Sequence, residues 1–337
     1  MPRKFVIAGL VAAVLVAAWV FTPWPKLVVY RTVMDLWGVV DNVTASKYAP
    51  KNIDEQRDLA YLPDERTARL DIFRPQNLAG KSLPVVVWVH GGGFMSGDKA
   101  HVANYLKIIA GQGFASVGVN YGLGPMARYP EPVGDVADAL RYLQDNGKRL
   151  GLDTSRIVLA GDSAGAQIAA QVAIVVASRP YAAAMQMSAP IAREQLRGLV
   201  LFCGLYDPDL RDNAKAHRSF LEMATWAYFG VKDLANDPRK TQFSIVGNLP
   251  ASMPPLFVSA GNGDPLIKHS QELVRVARAK GVEVEPLFFE DAEPKLDHEY
   301  QFLLDTREGQ VALQRMLDFL RRTLKTGEAR LTSKNKG

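Results

Sequence analysis

The chain has 337 residues, of which 48% are hydrophobic and 22% charged, a composition that excludes intrinsic disorder and allows one large α/β domain with an appendage. The net charge is +5, but residues 321–337 carry six basic side chains against one acidic one, so the rest of the chain is neutral. We therefore predict a solvated basic tail at 325–337, with a binding arm as the alternative, and no nucleic-acid partner. A single cysteine, Cys203, excludes an intramolecular disulfide.

The first distinctive stretch is residues 5–21, which contain no polar side chain. This length lies at the lower end of what crosses a bilayer and above the apolar core of a typical signal peptide. Arg3 and Lys4 favour an N-terminus in the cytoplasm. We predict that residues 1–26 form a single-pass membrane anchor that places the rest of the chain outside the cytoplasm. The alternative is a cleaved signal peptide and a secreted protein.

Residues 27–55 follow as a linker that contains an amphipathic helix. Apolar side chains recur at helical spacing on one face of it: Val29, Val33, Leu36, Trp37 and Val40. The pattern leaves two roles open, because the helix either covers the functional site or packs near the membrane.

From residue 56 to residue 324 the pattern predicts one α/β domain. Two alternating runs, 57–61 and 68–74, are typical of an antiparallel hairpin. Apolar strands then alternate with helices, and these strands are predicted at 84–89, 115–120, 157–160, 198–203, 255–260 and 282–289. Two helices are predicted at 99–112 and 131–149. A third begins at 164, a fourth ends at about 280, and a last one lies near the C-terminal end. Repeated β-then-α units predict a mostly parallel sheet of about eight strands with helices on both faces.

The interval between the strands that end at Cys203 and begin at Pro255 is longer than an ordinary connection. We predict a helical cap insertion at 206–250, with an aromatic-rich helix at 218–230. Candidate substrate-binding side chains that line an acyl pocket come from this helix and from one other position: Phe220, Met223, Trp226, Phe229 and Phe94. The alternative is that the aromatic residues of the insertion only pack it onto the domain body.

The motif Gly161-Asp-Ser-Ala-Gly165 lies at the junction of a buried strand and an alanine-rich helix. The two glycines that flank Ser163 allow a sharp turn, which presents the serine hydroxyl above the sheet at the N-terminus of a helix. A serine in this context is a candidate nucleophile. An ordinary glycine-rich turn is the alternative.

A second motif, His90-Gly-Gly-Gly-Phe94, directly follows the strand at 84–89. Successive glycines expose backbone N–H groups, which together with the N–H of Ala164 would stabilise an oxyanion. A phosphate-binding loop is the alternative, but the spacing fits neither a dinucleotide fingerprint nor a P-loop.

The candidate general bases are the five histidines of the chain: His90, His101, His217, His269 and His298. His298 follows the last predicted strand, where the order serine, acid, histidine places the base. Asp264 follows the preceding strand and is the candidate acid, with Asp207 and Asp297 as rivals. Since no His/Cys/Asp cluster has metal-ligand spacing, neither a metal nor an organic cofactor is predicted.

With these motifs, residues 56–324 resemble the α/β-hydrolase superfamily, and within it the carboxylesterases and lipases of the hormone-sensitive-lipase type. The resemblance implies Ser163 as nucleophile, Asp264 as acid and His298 as base. It also implies an oxyanion hole whose donors are the N–H groups of Gly92, Gly93 and Ala164. The activity that it implies is that of a serine carboxylesterase, which hydrolyses small-molecule or lipid esters of short to medium acyl chain through an acyl-enzyme.

Two positions depart from the family pattern. Where family members carry a Tyr-Arg-Leu motif, this chain has Asn120-Tyr-Gly-Leu123, and the base is followed by Glu299-Tyr300 rather than by Gly-Phe. The same triad also serves amidases, peptidases and acyltransferases, which stay open as alternatives together with a non-catalytic ligand-binding protein. The sequence leaves the oligomeric state open.

Overall fold

The computed structural model describes residues 22–210 and 215–324, together with Phe5 and Ile7. Most of the predicted anchor at 1–26 lies outside the described residues, as does the predicted basic tail at 325–337. Within the described part, no helix has both the length and the apolar character needed to cross a membrane.

Eight strands form a single sheet, which confirms the predicted number and the mostly parallel arrangement. The strands are β1 Ile53–Ala60, β2 Arg69–Pro75, β3 Leu83–Val89, β4 Ala115–Val119, β5 Leu152–Asp162, β6 Leu196–Phe202, β7 Leu256–Ser259 and β8 Val284–Leu287. Their spatial order is β1-β2-β4-β3-β5-β6-β7-β8. Strand β2 pairs antiparallel with β1 and β4, and every later pair is parallel. The carboxyl ends of β3 to β8 therefore meet at one edge of the sheet.

The described helices occupy the predicted intervals, except for one at Arg179–Ala184 that the sequence did not predict. They are α1 Trp24–Ala45, α2 Ala103–Ala110, α3 Glu131–Leu150, α4 Ser163–Ala177, α5 Arg179–Ala184, α6 Lys215–Phe229, α7 Arg239–Phe243, α8 Ile245–Asn248, α9 Ile267–Ala279 and α10 Arg307–Leu324. A short 3₁₀ turn, Lys99–Val102, takes the place of the first turn of the helix predicted at 99–112. The interval predicted as a cap insertion contains α6, α7 and α8.

Both faces of the sheet are covered, and β3 at its centre is apolar at every position. In β3, Val85, Val87 and Val89 contribute to the core under α3 and α4. The alternate residues Val86 and Trp88 point to the other face, which α2 and α10 cover. This burial on both faces is what a parallel sheet requires.

Helix α1 spans the stretch where the amphipathic helix is predicted, but the apolar face is turned away from the domain. We call this face the outer stripe, and it consists of Val29, Val33, Leu36, Trp37, Val40 and Val43. These side chains are between 44% and 67% exposed. The opposite face of α1, which includes the fully buried Leu27, packs on the domain.

Candidate active site

Ser163 occupies the sharp turn between β5 and α4, as the sequence predicts. Its φ is +50°, a left-handed conformation that is uncommon outside glycine. The flanking glycines leave no room for side chains, because a Cβ at Gly165 would lie 2.0 Å from the carbonyl oxygen of Val89 and one at Gly161 would lie 2.6 Å from the backbone of Gly165. Close packing of α4 against the end of β3 therefore requires both glycines.

Three side chains from separate loops form one hydrogen-bonded chain at the carboxyl edge of the sheet. The Nε2 atom of His298, in the loop after β8, lies 2.9 Å from the Oγ of Ser163. Its Nδ1 atom lies 3.0 Å from the Oδ2 of Asp264, in the loop after β7. The other carboxylate oxygen of Asp264 accepts the backbone N–H of Leu266 at 2.7 Å, which fixes the orientation of this buried carboxylate.

The other histidines of the described chain lie in different surroundings. The His90 ring is buried and stacks on Tyr121 at 4.6 Å, and burial lowers its pKa to about 4, so it is neutral at neutral pH. His101 packs against Gly38 of α1. The rival acid Asp207 donates its backbone N–H to Nδ1 of His269. The side chain of His217 lies outside the described residues. Among the histidine side chains that the structure describes, His298 is the one that contacts the candidate nucleophile.

The surroundings of His298 favour its protonated form. Desolvation by itself lowers the pKa of the ring, but the charge of the Asp264 carboxylate and its hydrogen bond to Nδ1 outweigh it and raise the pKa above its usual value. An imidazolium at this position is therefore stabilised, as a base that accepts the proton of a serine requires.

The side chains of Cys203, Asp264 and His298 place one potential metal ligand each within 4.8 Å of one another. Both ring nitrogens of His298 are engaged, however, one by Ser163 and the other by Asp264. Burial raises the pKa of the Cys203 thiol to about 12, which keeps it neutral and makes it a poor metal ligand. The donor set does not fit a metal ion.

The loop after β3, which begins next to the first turn of α4, presents free backbone amides. Gly92 and Gly93 have φ values of +112° and +62°, and their N–H groups have no hydrogen-bond acceptor among the described residues. A Cβ at Gly92 would lie 2.1 Å from the carbonyl oxygen of Ser96, so this position requires glycine. Ala164 lies in the first turn of α4, where backbone N–H groups lack an intrahelical partner.

A buried carboxylate joins this loop to the turn at Ser163. Asp162 accepts the indole Nε1–H of Trp88 and the backbone N–H of Gly91, each at 2.7 Å. Burial raises the pKa of Asp162 well above its usual value, and the carboxylate of Glu299 raises it further. No sequence motif predicted a role for the side chain of Asp162 or of Trp88, although Asp162 lies within the serine motif.

Glu299, one of the two departures from the family pattern, lies against the base. Its Oε1 is 3.6 Å from Nε2 of His298, and its φ of +63° is left-handed. The family pattern has a glycine at this position, and glycine adopts the left-handed conformation without strain. This chain keeps that backbone conformation but has a carboxylate side chain in place of glycine. The signal in the sequence that pointed to Glu299 was its departure from the family pattern, directly after the predicted base.

Gly122, in the other departure, has no room for the arginine of the family pattern. A Cβ at Gly122 would lie 2.4 Å from the Cβ of Ala127. The backbone N–H of Gly122 donates to the carboxylate of Asp135 at 2.7 Å. Burial raises the pKa of Asp135 to about 6.

Aromatic side chains from α1 and α6 cover the glycine loop. Tyr30 and Phe220 pack with ring centroids 5.3 Å apart, and a Cβ at Gly93 would lie 2.8 Å from Phe220 and 3.2 Å from the Tyr30 hydroxyl. The guanidinium of Arg31 donates to the backbone carbonyls of Met95 and Gly124. Helix α1 therefore covers the site with its inner face, which was one of the two roles that the sequence left open.

The residues predicted to line an acyl pocket lie in three different places. Phe94 stacks on Tyr228 at 4.1 Å, and Phe94 and Phe229 line a cavity of about 470 Å³ beside α6. Phe220 instead lies over the glycine loop. Met223 packs in the small cluster around Leu27 of α1, and Trp226 packs edge-to-face on Trp24 at 5.8 Å. These last two side chains hold α6 against α1 because that side of α6 faces the N-terminal helix.

A mostly parallel eight-stranded sheet in this order, with a serine at the turn between β5 and α4, defines an α/β hydrolase. A family model described as the alpha/beta hydrolase fold matches residues 86–296. The chain belongs to this family, which confirms the resemblance that its motifs gave.

Similar named proteins and a similar solved structure are consistent with membership of this family. Esterase LipI of Mycobacterium tuberculosis is 34% identical over 210 residues, which cover 60% of this chain and 62% of that protein. Carboxylesterase NlhH of the same organism is 30% identical over 256 residues, with 72% and 75% covered. The match to LipI thus spans about three fifths of that protein's length. Esterase B from Lactobacillus rhamnosis has the same fold, with a TM-score of 0.72, 21% identity, and 88% and 96% of the two chains covered.

Proposed function

We propose that this protein is a serine carboxylesterase that hydrolyses acyl esters through an acyl-enzyme. The observation that carries the proposal is the hydrogen-bonded chain from Ser163 through His298 to Asp264, with contacts of 2.9 and 3.0 Å. The esterase activities in the names of LipI and NlhH support an ester as the substrate.

In the proposed reaction, the Oγ of Ser163 attacks the ester carbonyl carbon while Nε2 of His298 takes the hydroxyl proton. Asp264 accepts the Nδ1–H of the ring and stabilises the imidazolium. As the tetrahedral intermediate collapses, the C–O bond breaks and His298 gives its proton to the leaving alcohol oxygen. Water then attacks the acyl-enzyme by the same route and releases the acid.

The negative charge of the tetrahedral intermediate develops on the former carbonyl oxygen. The N–H groups of Gly92, Gly93 and Ala164 are its proposed donors, because two of them are free of acceptors in the described chain and the third begins a helix. The side chains of Tyr30 and Phe220 cover this loop and reduce its contact with water, which strengthens hydrogen bonds to the oxyanion.

The acyl group is proposed to enter the cavity of Phe94 and Phe229. Its volume of about 470 Å³ lies within the usual range of small-molecule sites. A single cavity of this size suits acyl chains of short to medium length.

The test is hydrolysis of p-nitrophenyl butyrate by the wild type and by Ser163→Ala. Without the nucleophile we expect kcat to fall by about 10⁴- to 10⁶-fold, whereas Ser155→Ala, at the far end of the same strand, should leave it unchanged. Equal activity of the wild type and Ser163→Ala would end the proposal. A matched p-nitroanilide tests the amidase alternative, which predicts comparable rates for the amide and the ester.

We also propose that residues 1–26 anchor the protein in a membrane, with the catalytic domain outside the cytoplasm. The support is the apolar composition of residues 5–21 and the preceding Arg3 and Lys4. The protein should stay in carbonate-washed membranes. Release of a form that lacks residues 1–22 would favour the secreted alternative.

A further inference from the structure

The orientation of α1 is the reverse of that expected for a surface helix in water. Its polar side chains face the domain: Arg31 donates to the backbone of Met95 and Gly124, and Asp35 accepts the N–H of Gly97 at 3.2 Å. The outer stripe faces away from the domain. A water-exposed amphipathic helix buries its apolar face, so the medium outside α1 is expected to be apolar.

Exposed apolar side chains are concentrated in this one region. Among the described residues, every exposed large hydrophobic side chain except Met126 and Leu303 lies between positions 5 and 48. Lys26 is the one exposed charged residue of α1. A contiguous apolar surface of this kind marks an interaction site rather than the scattered exposure of an ordinary protein surface.

Chain order identifies the partner of this surface. Helix α1 begins three residues after the run at 5–21, which is apolar at every position. If that run folded back over the outer stripe, its own remaining sides would stay in water, and a second copy of the chain would leave the run exposed as well. A lipid bilayer covers both surfaces at once. We propose that the outer stripe of α1 lies in the surface of a lipid bilayer, next to the run at 5–21.

The residue types of α1 agree with a helix that lies in the membrane interface. Trp37, which is 67% exposed, has the amphipathic ring that favours this zone. Lys26 places a cation where anionic headgroups lie. The six apolar side chains of the outer stripe provide the surface that enters the lipid.

This position sets the class of substrate, an inference that rests on the proposed esterase function. A cavity of about 90 Å³ lies between α1 and the glycine loop, lined among others by Trp37, Gly92 and Glu299. Trp37 belongs both to this cavity and to the outer stripe, so the cavity opens beside the bilayer. The substrates are therefore esters that partition into the lipid phase, which reach the site without passing through water.

The first experiment locates the stripe without using activity. The full-length protein carries an environment-sensitive NBD label at Leu36→Cys, or at Glu194→Cys as a matched control near the start of β6, at the opposite edge of the sheet. Cys203 is buried, so the wild type should take up no label. In vesicles of phosphatidylcholine and phosphatidylglycerol, the label at 36 should emit at shorter wavelength, lose most of its emission to doxyl-labelled lipid and resist iodide. The label at 194 should show the reverse.

Quenching of the label at 36 by iodide to the same degree as at 194 would overturn the proposal. Resistance to iodide without quenching by doxyl lipid would also overturn it, because the run at 5–21 or a second copy would then cover the stripe. These readouts stay valid if the protein proves not to be an esterase.

The second experiment tests substrate delivery with the double variant Leu36→Glu/Val40→Glu. Hydrolysis of a long-chain p-nitrophenyl ester held in the same vesicles should fall by about tenfold, since two charges now oppose contact with lipid. Hydrolysis of water-soluble p-nitrophenyl acetate should change less than about twofold, because neither residue touches the site. An unchanged rate on the vesicle-borne ester would refute delivery from the bilayer.

Discussion

The carboxylate of Glu299 should control the pH at which the proposed base becomes active. Its Oε1 lies 3.6 Å from Nε2 of His298, so it stabilises the protonated ring. Substitution by glutamine removes this charge while keeping the size of the side chain. The pKa of His298 should then fall, and the acid limb of the kcat/KM profile should move to lower pH, because that limb reports the free enzyme's base.

The size of the shift follows from the distance. Coulomb's law at 3.6 Å gives about 4.6 kcal/mol at an effective dielectric constant of about 20 and about 1.2 kcal/mol at that of water. His298 is 31% exposed and Glu299 is 26% exposed, so solvent screens the pair only in part and the value in water is a lower bound. Since one pKa unit corresponds to about 1.4 kcal/mol, we expect the acid limb to move down by at least about one unit.

The assay is kcat/KM for p-nitrophenyl butyrate between acid and neutral pH, in the wild type and in Glu299→Gln. Glu194→Gln is the matched control, since its side chain is 73% exposed and precedes β6. Glu299→Gly removes the same charge and accepts the left-handed backbone, so it should give the same shift and raise the free energy of unfolding by about 1 kcal/mol. An acid limb that stays in place, or moves to higher pH, in both variants would refute the electrostatic role of Glu299.

Three further outcomes test other parts of the site. Gly92→Ala should lower kcat by at least about 10²-fold, because a Cβ there meets the backbone of the loop that holds the oxyanion donors; near-normal kcat would remove Gly92 from the oxyanion hole. Trp88→Phe takes away one of the donors to the buried Asp162 and should reduce the free energy of unfolding by about 1 to 3 kcal/mol in urea titrations; an unchanged midpoint would contradict this. Phe94→Ala removes the ring stacked on Tyr228 and enlarges the cavity. The acyl chain length with the highest kcat/KM should therefore increase. An unchanged preference for chain length would place the acyl group elsewhere.

Local patterns determined much of the fold. The strands β3 to β7 could be predicted from their mostly apolar runs, because a strand covered on both faces has few polar positions. The helices follow from their own periodicity. The glycines around Ser163 and in the loop after β3 were also predictable, since backbone sterics at a sharp turn depend on the residues of that turn. The order of serine, acid and histidine along the chain selected three residues, whose catalytic role stays a prediction.

Other features depend on residues that are distant in sequence, and only the tertiary structure decided them. Ser163 and His298 are 135 positions apart, and their contact of 2.9 Å depends on how β5 and β8 sit in the same sheet. The environment of Glu299, in the loop after β8, likewise comes from Asp162 at the end of β5. The periodicity of α1 predicted an apolar face but not its direction, because a helical pattern gives the angle between side chains and not what surrounds the helix. The apolar face of α1 points outwards because its polar face contacts the loop after β3.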